Sequence, residues 1–518
     1  MSRRKASLIR ILLLVALVYG AVVRIVAITQ WKQGYSHDES ISYLCAAATE
    51  GKYAKEIHGL TDTLITAGEI QAFYQRPDRL QPGTVADDLA RHDIHPPLYF
   101  WALHAAYTWT GATLTAGAWL NFAAGLLLLL LTYTLARNTL GSVEAALAAT
   151  VIWYLSPAVA QADLEARQYQ FMAVCAMASY LLAWRMGRQG VTAKWLLPFV
   201  AVNALGFLDH YYYGFVLVPG VWLIWRRHGL AAPTWRFVGS IVASILLFIA
   251  AFPGFLYFLA HFGQRPTAGA VPPGFMAGVS TLVYTTLDFF AGQPRLRYPT
   301  LALLLAVAGL IGYKLFRGRV PVLRSAVTLP RYVAATLVWC AGFTMAFYLA
   351  RISPASAAGE QYNAYFWPLL AIMLVYAGRW FIAGRYRPWV LTAYVLLLGH
   401  SFTFAVKDSD LLARMLPDAW YGRMGGPALL VTDQVERGVL PRVMRDVPSA
   451  THLYLVGKKW PDAGGFDRVV FLHLVGSKHK GPGSLPDILA AAGLHHRQTL
   501  TWTTSPEFDA YELRLYGR

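Results

Sequence analysis

Four short stretches of this chain hold residue types that could act together in a reaction. His37-Asp38-Glu39-Ser40 sets two carboxylates side by side. His95-Pro96-Pro97-Leu98-Tyr99 sets an imidazole ahead of two rigid residues. Glu165-Ala166-Arg167-Gln168-Tyr169 brings an acid, a guanidinium and a phenol into one short turn. His210-Tyr211-Tyr212-Tyr213-Gly214 adds a second imidazole and more phenols. A carboxylate suits removal of a proton from an attacking hydroxyl, and partial burial lifts its pKa from about 4 toward the working range. Neighbours on a helix point about 100° apart, so one of Asp38 and Glu39 faces a site while the other supports it. Arg167 suits an anion such as phosphate because its donors form a planar fork. Two prolines fix φ and hold the preceding residue extended, which would keep His95 steady. Tyr169, His210 and Tyr211 offer hydrogen bonds to a sugar or phosphate. Each stretch also has a plain structural reading: a helix cap for Asp38-Glu39, a loop-to-helix start for His95, a local ion pair for Glu165 and Arg167, and an interfacial aromatic belt for His210 and its tyrosines.

The elements that must position these residues are membrane spans. Of the 518 residues, 56% are hydrophobic and only 14% are charged, against roughly 25% charged in an ordinary soluble domain. Apolar runs near the ~20 residues a bilayer requires recur along the chain. They predict about eleven spans. These are Ile11–Ile28, Ala116–Ala136, Val143–Val159, Tyr169–Trp184, Trp195–Leu208, Tyr212–Trp225, Phe237–Leu259, Pro299–Leu315, Tyr332–Ala350, Tyr365–Phe381 and Trp389–Val406. The net charge of +17 would suit nucleic acid in a soluble protein. Here the basic residues instead fall at alternate turns, as the positive-inside rule requires. Arg3, Arg4, Lys5 and Arg10 open the series, and Arg185, Arg188, Arg226, Arg227, Arg379 and Arg385 continue it. This predicts a cytoplasmic N-terminus, an extracytoplasmic C-terminal region, and no nucleic-acid partner. The basic N-terminus and the apolar run after it read as a retained first span.

The segment from about Gln30 to Gly111 is polar, aromatic and far longer than an ordinary connection. It reads as a catalytic outer loop. Three further outer segments are expected to matter: the Gln161–Tyr169 turn, the Asp209–Gly214 turn, and His261–Tyr298 with an interfacial helix around Phe275–Phe290. A fifth, Arg351–Asn363, precedes the tenth span. From residue 408 to 518 charge, glycine and proline return, and the pattern predicts a small α/β domain. Its strands fall at Ala428–Thr432, Thr451–Val456, Arg468–Val475 and Tyr511–Leu515, and its helices at Val435–Arg445 and Leu485–Ala492. Residues 1–407 form the transmembrane domain. The three cysteines, Cys45, Cys175 and Cys340, are far apart and build no disulfide or zinc framework. A divalent cation shared by His37, His95 and His210 finds no support in their spacing, so no metal ligand is assigned.

In order, spacing and outer-side placement, the four motifs resemble the bacterial glycosyltransferase family 39 type of membrane transferase. That group is related to protein O-mannosyltransferases and to the lipid A aminoarabinose transferase. The resemblance implies an α-helical GT-C fold and a polyprenyl-phosphate-linked sugar donor. It further implies inverting transfer on the outer face of a bacterial inner membrane. Asp38 would be the catalytic base, with Glu39 beside it. Glu165 and Arg167 would match the acidic and basic positions of the second outer turn, and His95, Tyr169, His210 and Tyr211 would line the donor or substrate site. The family often has Arg-Tyr before the tenth span where this chain has Ala364-Tyr365. Arg295, Arg297 or Arg351 are the replacements available. Acceptors compatible with this chemistry are a lipid such as lipid A or a hopanoid, a polysaccharide, or a protein.

Rival classes are a transporter or flippase of lipid-linked sugars, a polysaccharide ligase or polymerase, and a non-catalytic scaffold. Transporters place ionisable groups near the membrane midplane and often carry inverted repeats. Here the acids cluster at outer span ends and no internal repeat is visible.

Overall fold

The computed structural model describes residues 3–111, 114–261, 328–350, 364–407, 418–424, 428–433, 435–474, 485–503 and 510–518, with a few single positions between them. By internal packing the chain divides into two units. One comprises residues 1–30, 118–164 and 168–409. The other comprises residues 31–117, 165–167 and 410–518.

The first unit is helical. Among the described residues, four helices are long and apolar enough to cross a membrane: Ala6–Trp31, Ala116–Leu140, Ala232–Ala251 and Arg387–Lys407. Their large apolar side chains remain exposed, as on Leu14, Val18, Leu130, Leu246 and Leu396, which suits a lipid-facing surface. A fifth crossing is counted if Val143–Tyr154 and Pro157–Leu164, bent by 62°, form one span. Pro157 explains the bend: it lacks an N–H and disfavours helix at the residue before it. This is fewer than the eleven spans expected. The expected span at Pro299–Leu315, the interfacial helix around Phe275–Phe290, and Arg295, Arg297 and Arg351 lie outside the described residues. The other expected spans fall on helices, several of them shorter or more polar than a full crossing. Tyr212–Trp225, for example, is two helices, Tyr213–Val216 and Val218–His228, divided at Leu217.

The second unit joins the long loop to the C-terminal region. Its sheet has six strands: β1 (Leu64–Thr66), β2 (Ala428–Thr432), β3 (His452–Leu455), β4 (Arg468–Leu474), β5 (His495–Thr503) and β6 (Ala510–Gly517). Their spatial order is β1-β3-β2-β4-β6-β5. β2 runs parallel to β3 and β4, while β1, β5 and β6 pair antiparallel. Two strands were not read from the pattern. β1 comes from the loop and pairs Ile65 with Leu453. β5 begins with the polar run His495-His496-Arg497-Gln498, which hides its alternation. The expected Val435–Arg445 helix is shorter, Leu440–Arg445.

Period-two alternation gives the sheet two apolar faces. Leu430, Leu453, Val470 and Leu513 pack with Tyr53, Ile57, Ile70 and Phe73 of the loop. Leu429, Val431, Val469 and Phe471 pack with Leu485 and Leu489. The loop therefore supplies one strand and one covering layer of the same core as the C-terminal strands, so the unit boundary does not follow the chain boundary at residue 408. Asp62 pins the junction: its carboxylate accepts backbone N–H bonds from Gly457, Lys458 and Lys459 at 2.7–3.1 Å.

Candidate active site

The His37–Ala46 helix starts where it does because Ser36 caps it. The Ser36 hydroxyl accepts the Glu39 N–H at 3.1 Å, and the Glu39 carboxylate accepts the Ser36 N–H at 2.8 Å, a reciprocal capping box. Glu39 is fully buried. Its Oε2 also takes a bond from Lys32 Nζ at 2.8 Å, and its Oε1 accepts the Ala166 N–H at 2.9 Å. Its lone pairs thus hold the helix start, a buried lysine and the 165–167 turn together.

The turn is tight: Arg167 N–H donates back to the Glu165 carbonyl at 2.7 Å. Ala166 lies against Gly117 so closely that any Cβ there would collide with the Ala166 Cβ and Cα. On the helix side, Asp38 sits one residue before Glu39 and faces elsewhere. Its Oδ2 lies 3.2 Å from an Arg167 terminal nitrogen, and its Oδ1 lies 3.3 Å from His37 Nδ1. The Asp38 side chain keeps 28% exposure, whereas Arg167 is 7% exposed. Arg167 also reaches the Ser42 hydroxyl at 3.4 Å. The Ser36 hydroxyl donates to Glu165 Oε1 at 2.6 Å.

The carboxylates are driven apart electrostatically. For Asp38, burial works against ionisation, but the Arg167 charge, the His37 bond and charge, and His95 outweigh it and hold the carboxyl well below its usual range. For Glu165, burial and then the negative charges of Asp38 and Glu39 push the pKa up to about 8. The two environments thus push the proton affinities of Asp38 and Glu165 in opposite directions. His37 bridges Asp38 and Glu436, the latter at 2.5 Å from Nε2. Burial lowers its pKa, but those two carboxylates more than reverse this and raise it to about 9.

His95 is buried, and its Nδ1 lies 2.5 Å from Asp93 Oδ1. Two prolines separate it from the Leu98–Thr110 helix, which ends at Gly111 with φ of 85°. Asp93 is also 3.7 Å from Arg437, which pairs with the buried Glu50. Cys45 donates to Glu50 at 2.9 Å. Cys45, Glu50 and Asp93 offer ligand atoms within 4.8 Å of one another. The Arg437 guanidinium already supplies the cation for that cluster, so its donor set does not suit a metal ion.

Of the eight residues expected at a site, Asp38, Glu39, His95, Glu165 and Arg167 fall in the second unit, and Tyr169, His210 and Tyr211 fall in the helical unit. Tyr169 and His210 are buried with ring centroids 6.1 Å apart. The backbone N–H of Tyr212 donates to His210 Nδ1 at 3.2 Å. Tyr211 stacks on Phe258 at 4.7 Å. Tyr365 is buried and shares a 2.9 Å hydrogen bond with Thr344.

Sequence reasoning missed Lys32, Ser36, Asp93, Glu436 and Arg437. Ser36 had a signal, because a serine three residues before a glutamate is a capping-box pattern. Glu436 and Arg437 had none: they arrive from the far end of the chain.

Residues 94–253 match the protein-family model described as dolichyl-phosphate-mannose-protein mannosyltransferase. No curated protein matches the sequence. Among solved structures, ArnT from Cupriavidus metallidurans bound to undecaprenyl phosphate is 13% identical, covers 97% of each chain and gives a TM-score of 0.50. The apo state of the same protein is 13% identical over 98% of each chain, with a TM-score of 0.49. The apo oligosaccharyltransferase of Archaeoglobus fulgidus is 12% identical, over 91% of this chain and 70% of that one, with a TM-score of 0.47. The ArnT likeness is one of fold, the GT-C type. The family match and the apolar helices mark the chain as a multi-pass membrane glycosyltransferase of the class that takes its sugar from a lipid phosphate.

Proposed function

We propose that this enzyme moves a sugar from a polyprenyl-phosphate donor to a hydroxyl acceptor, with inversion, using Asp38 as the base. The observation that carries the reading is the Asp38–Arg167 pair: a partly exposed carboxylate held by a buried guanidinium. Arg167 is a fitting partner for a lipid phosphate because its fork matches phosphate oxygens. When a phosphate takes up that positive charge, Asp38 loses the strongest influence depressing its pKa and gains proton affinity. The base therefore becomes competent when the donor is in place. The acceptor oxygen attacks the anomeric carbon from the side opposite the phosphate, and its proton passes to Asp38 Oδ2. The C–O bond to phosphate breaks, and the leaving lipid phosphate carries the electron pair away, stabilised by Arg167.

Glu165, with its raised proton affinity, keeps a second negative charge away from the incoming phosphate. Glu39 and Lys32 hold the geometry. His95, fixed by Asp93, adds to the field around Asp38. Tyr169, His210 and Tyr211 of the helical unit are assigned to the donor. The reaction is assigned to the outer face of a bacterial inner membrane, with eleven spans, a cytoplasmic N-terminus and an extracytoplasmic C-terminal region. The fit of the basic residues to alternate turns supports that orientation. ArnT's structure contains undecaprenyl phosphate, which supports a polyprenyl donor here.

Purified protein in lipid nanodiscs, offered a panel of polyprenyl-phosphate sugars with total envelope lipids, tests this directly. Appearance of a glycosylated lipid, with the anomeric configuration opposite to that of the donor by NMR, is the expected result. Retained configuration would overturn single displacement. No transfer from any donor, together with flux of the lipid-linked sugar across vesicles, would replace the enzyme reading with a transporter.

A further inference from the structure

The second unit carries a half-open cavity of about 360 Å³ that plays no part in the mechanism above. Its walls include the rings of Tyr35, Tyr74 and Tyr107, and its polar groups are Gln71, Arg445 and Asp446. The volume lies within the roughly 300–1,000 Å³ usual for small-molecule sites, which are apolar or aromatic with a few fixed polar groups.

The walls are braced. Tyr35 stacks on Tyr43 with centroids 4.7 Å apart, and the Arg445 guanidinium lies 4.8 Å from the Tyr35 ring centre. The Tyr107 hydroxyl donates to the Tyr74 carbonyl at 2.5 Å. The Gln71 amide donates to the carbonyls of Met444 and Val447, each at 2.7 Å. Arg445 pairs with Asp446 at 2.8 Å, so the cavity carries balanced charge. Burial pushes the Tyr35 pKa up to about 12, leaving a neutral hydroxyl. Flat rings, planar polar groups and no net charge match the chemistry of a sugar ring, which presents apolar C–H faces and neighbouring hydroxyls. A strongly anionic ligand has no spare cation here.

The cavity also has a defined relation to the reaction centre. Ser40 bonds the Tyr74 hydroxyl at 3.0 Å. Asp38 lies two positions earlier on the same helix, about 200° around its axis. The cavity and the Asp38 carboxylate thus belong to opposite sides of one short helix.

We propose that this cavity binds a sugar ring of the acceptor remote from the hydroxyl that reacts, so the acceptor is a glycan or glycolipid with more than one ring. The inference rests on the glycosyltransferase reading. Full-length protein in nanodiscs is titrated with free glucose, N-acetylglucosamine, glucuronate and trehalose, followed by saturation-transfer NMR. The wild type is compared with Leu114→Trp, which fills the cavity from its wall, and with Asp446→Asn. Saturable binding of a neutral sugar is expected, abolished by Leu114→Trp and weakened roughly tenfold by Asp446→Asn, the scale of one hydrogen bond. In the transfer assay the same variants should raise acceptor KM while kcat and donor hydrolysis stay unchanged. Absence of saturable sugar binding, or unchanged binding in a Leu114→Trp protein that melts like wild type, would overturn the proposal. Cavity-dependent sugar binding without any donor turnover would overturn the catalytic reading instead. Transfer with unaltered acceptor KM in Leu114→Trp would overturn the cavity alone.

Discussion

Two buried arginines in this chain each hold an aspartate, and they do so differently. In the helical unit Arg24 meets Asp163 at 2.5 Å, with both side chains at most 2% exposed. Its other nitrogens donate to the carbonyls of Gly20 and Tyr154, at 3.1 and 2.8 Å, and its plane lies 3.8 Å from the Tyr154 ring centre. Gln170 also donates to Asp163. This is a closed tie between spans, with each charge matched. In the second unit Arg167 meets Asp38 at 3.2 Å, and the aspartate remains 28% exposed. Breaking the first pair would strand a buried charge, because neither side chain reaches solvent. The second is a poised pair whose carboxylate is open to a ligand. Burial of both partners, rather than the presence of an ion pair, is what separates the two.

The largest effects should come from breaking closed ties. Arg24→Leu leaves Asp163 buried and uncompensated, and should cost about 3–5 kcal/mol of stability, seen as loss of folded protein in detergent thermal unfolding. Glu39→Gln should act similarly in the second unit, because Lys32 and Glu39 are both 0% exposed. Arg167→Lys should leave melting nearly unchanged and lower transfer by about 10²–10³, the cost of losing a preorganised donor. A melting loss as large as that of Arg24→Leu would erase the distinction between the two pairs. Gly117→Ala should cost about 1–3 kcal/mol through overpacking against Ala166. It should also reduce transfer by shifting the 165–167 turn.

The smallest effect is on the pH dependence of stability. His37 and Glu165 hold their protons more tightly when folded, to about 9 and about 8. Their contribution is complete below the unfolded values of 6.5 and 4.5 and is lost as pH rises through the folded ones. Asp38 runs the other way: its contribution holds above 3.8 and is lost as pH falls through its lower folded value. Melting temperature should therefore decline between about pH 4.5 and 9, and Glu165→Gln should flatten the part of that decline below about 8. An unchanged slope in that variant would remove Glu165 from the coupled cluster.

Much of this was legible in the sequence because acids at span ends are costly and so conspicuous. Asp38 was found that way, Glu165 and Arg167 from an acid and a guanidinium sharing one short turn, and the structure brings the three together. The division of roles between Asp38 and Glu39 was not legible. Helical spacing says only that they point apart, whereas the capping box and Lys32 decide which one is enclosed. The sheet's first strand was hidden for a different reason. Leu64-Ile65-Thr66 is too short to show alternation, and its partner Leu453 lies far along the chain. Arg437 reaches Glu50 and Asp93 across the same long separation. Contacts made by chain closure leave no local periodicity to read.

The most direct measurement is the single-turnover rate of sugar transfer by Asp38→Asn against wild type, in nanodiscs, with thermal unfolding of both recorded. A fall of about 10²–10⁴, the range for loss of a general base, with unchanged melting is the expected result. Equal transfer by a folded Asp38→Asn protein would contradict the assignment of Asp38 as base and move that role to Glu165.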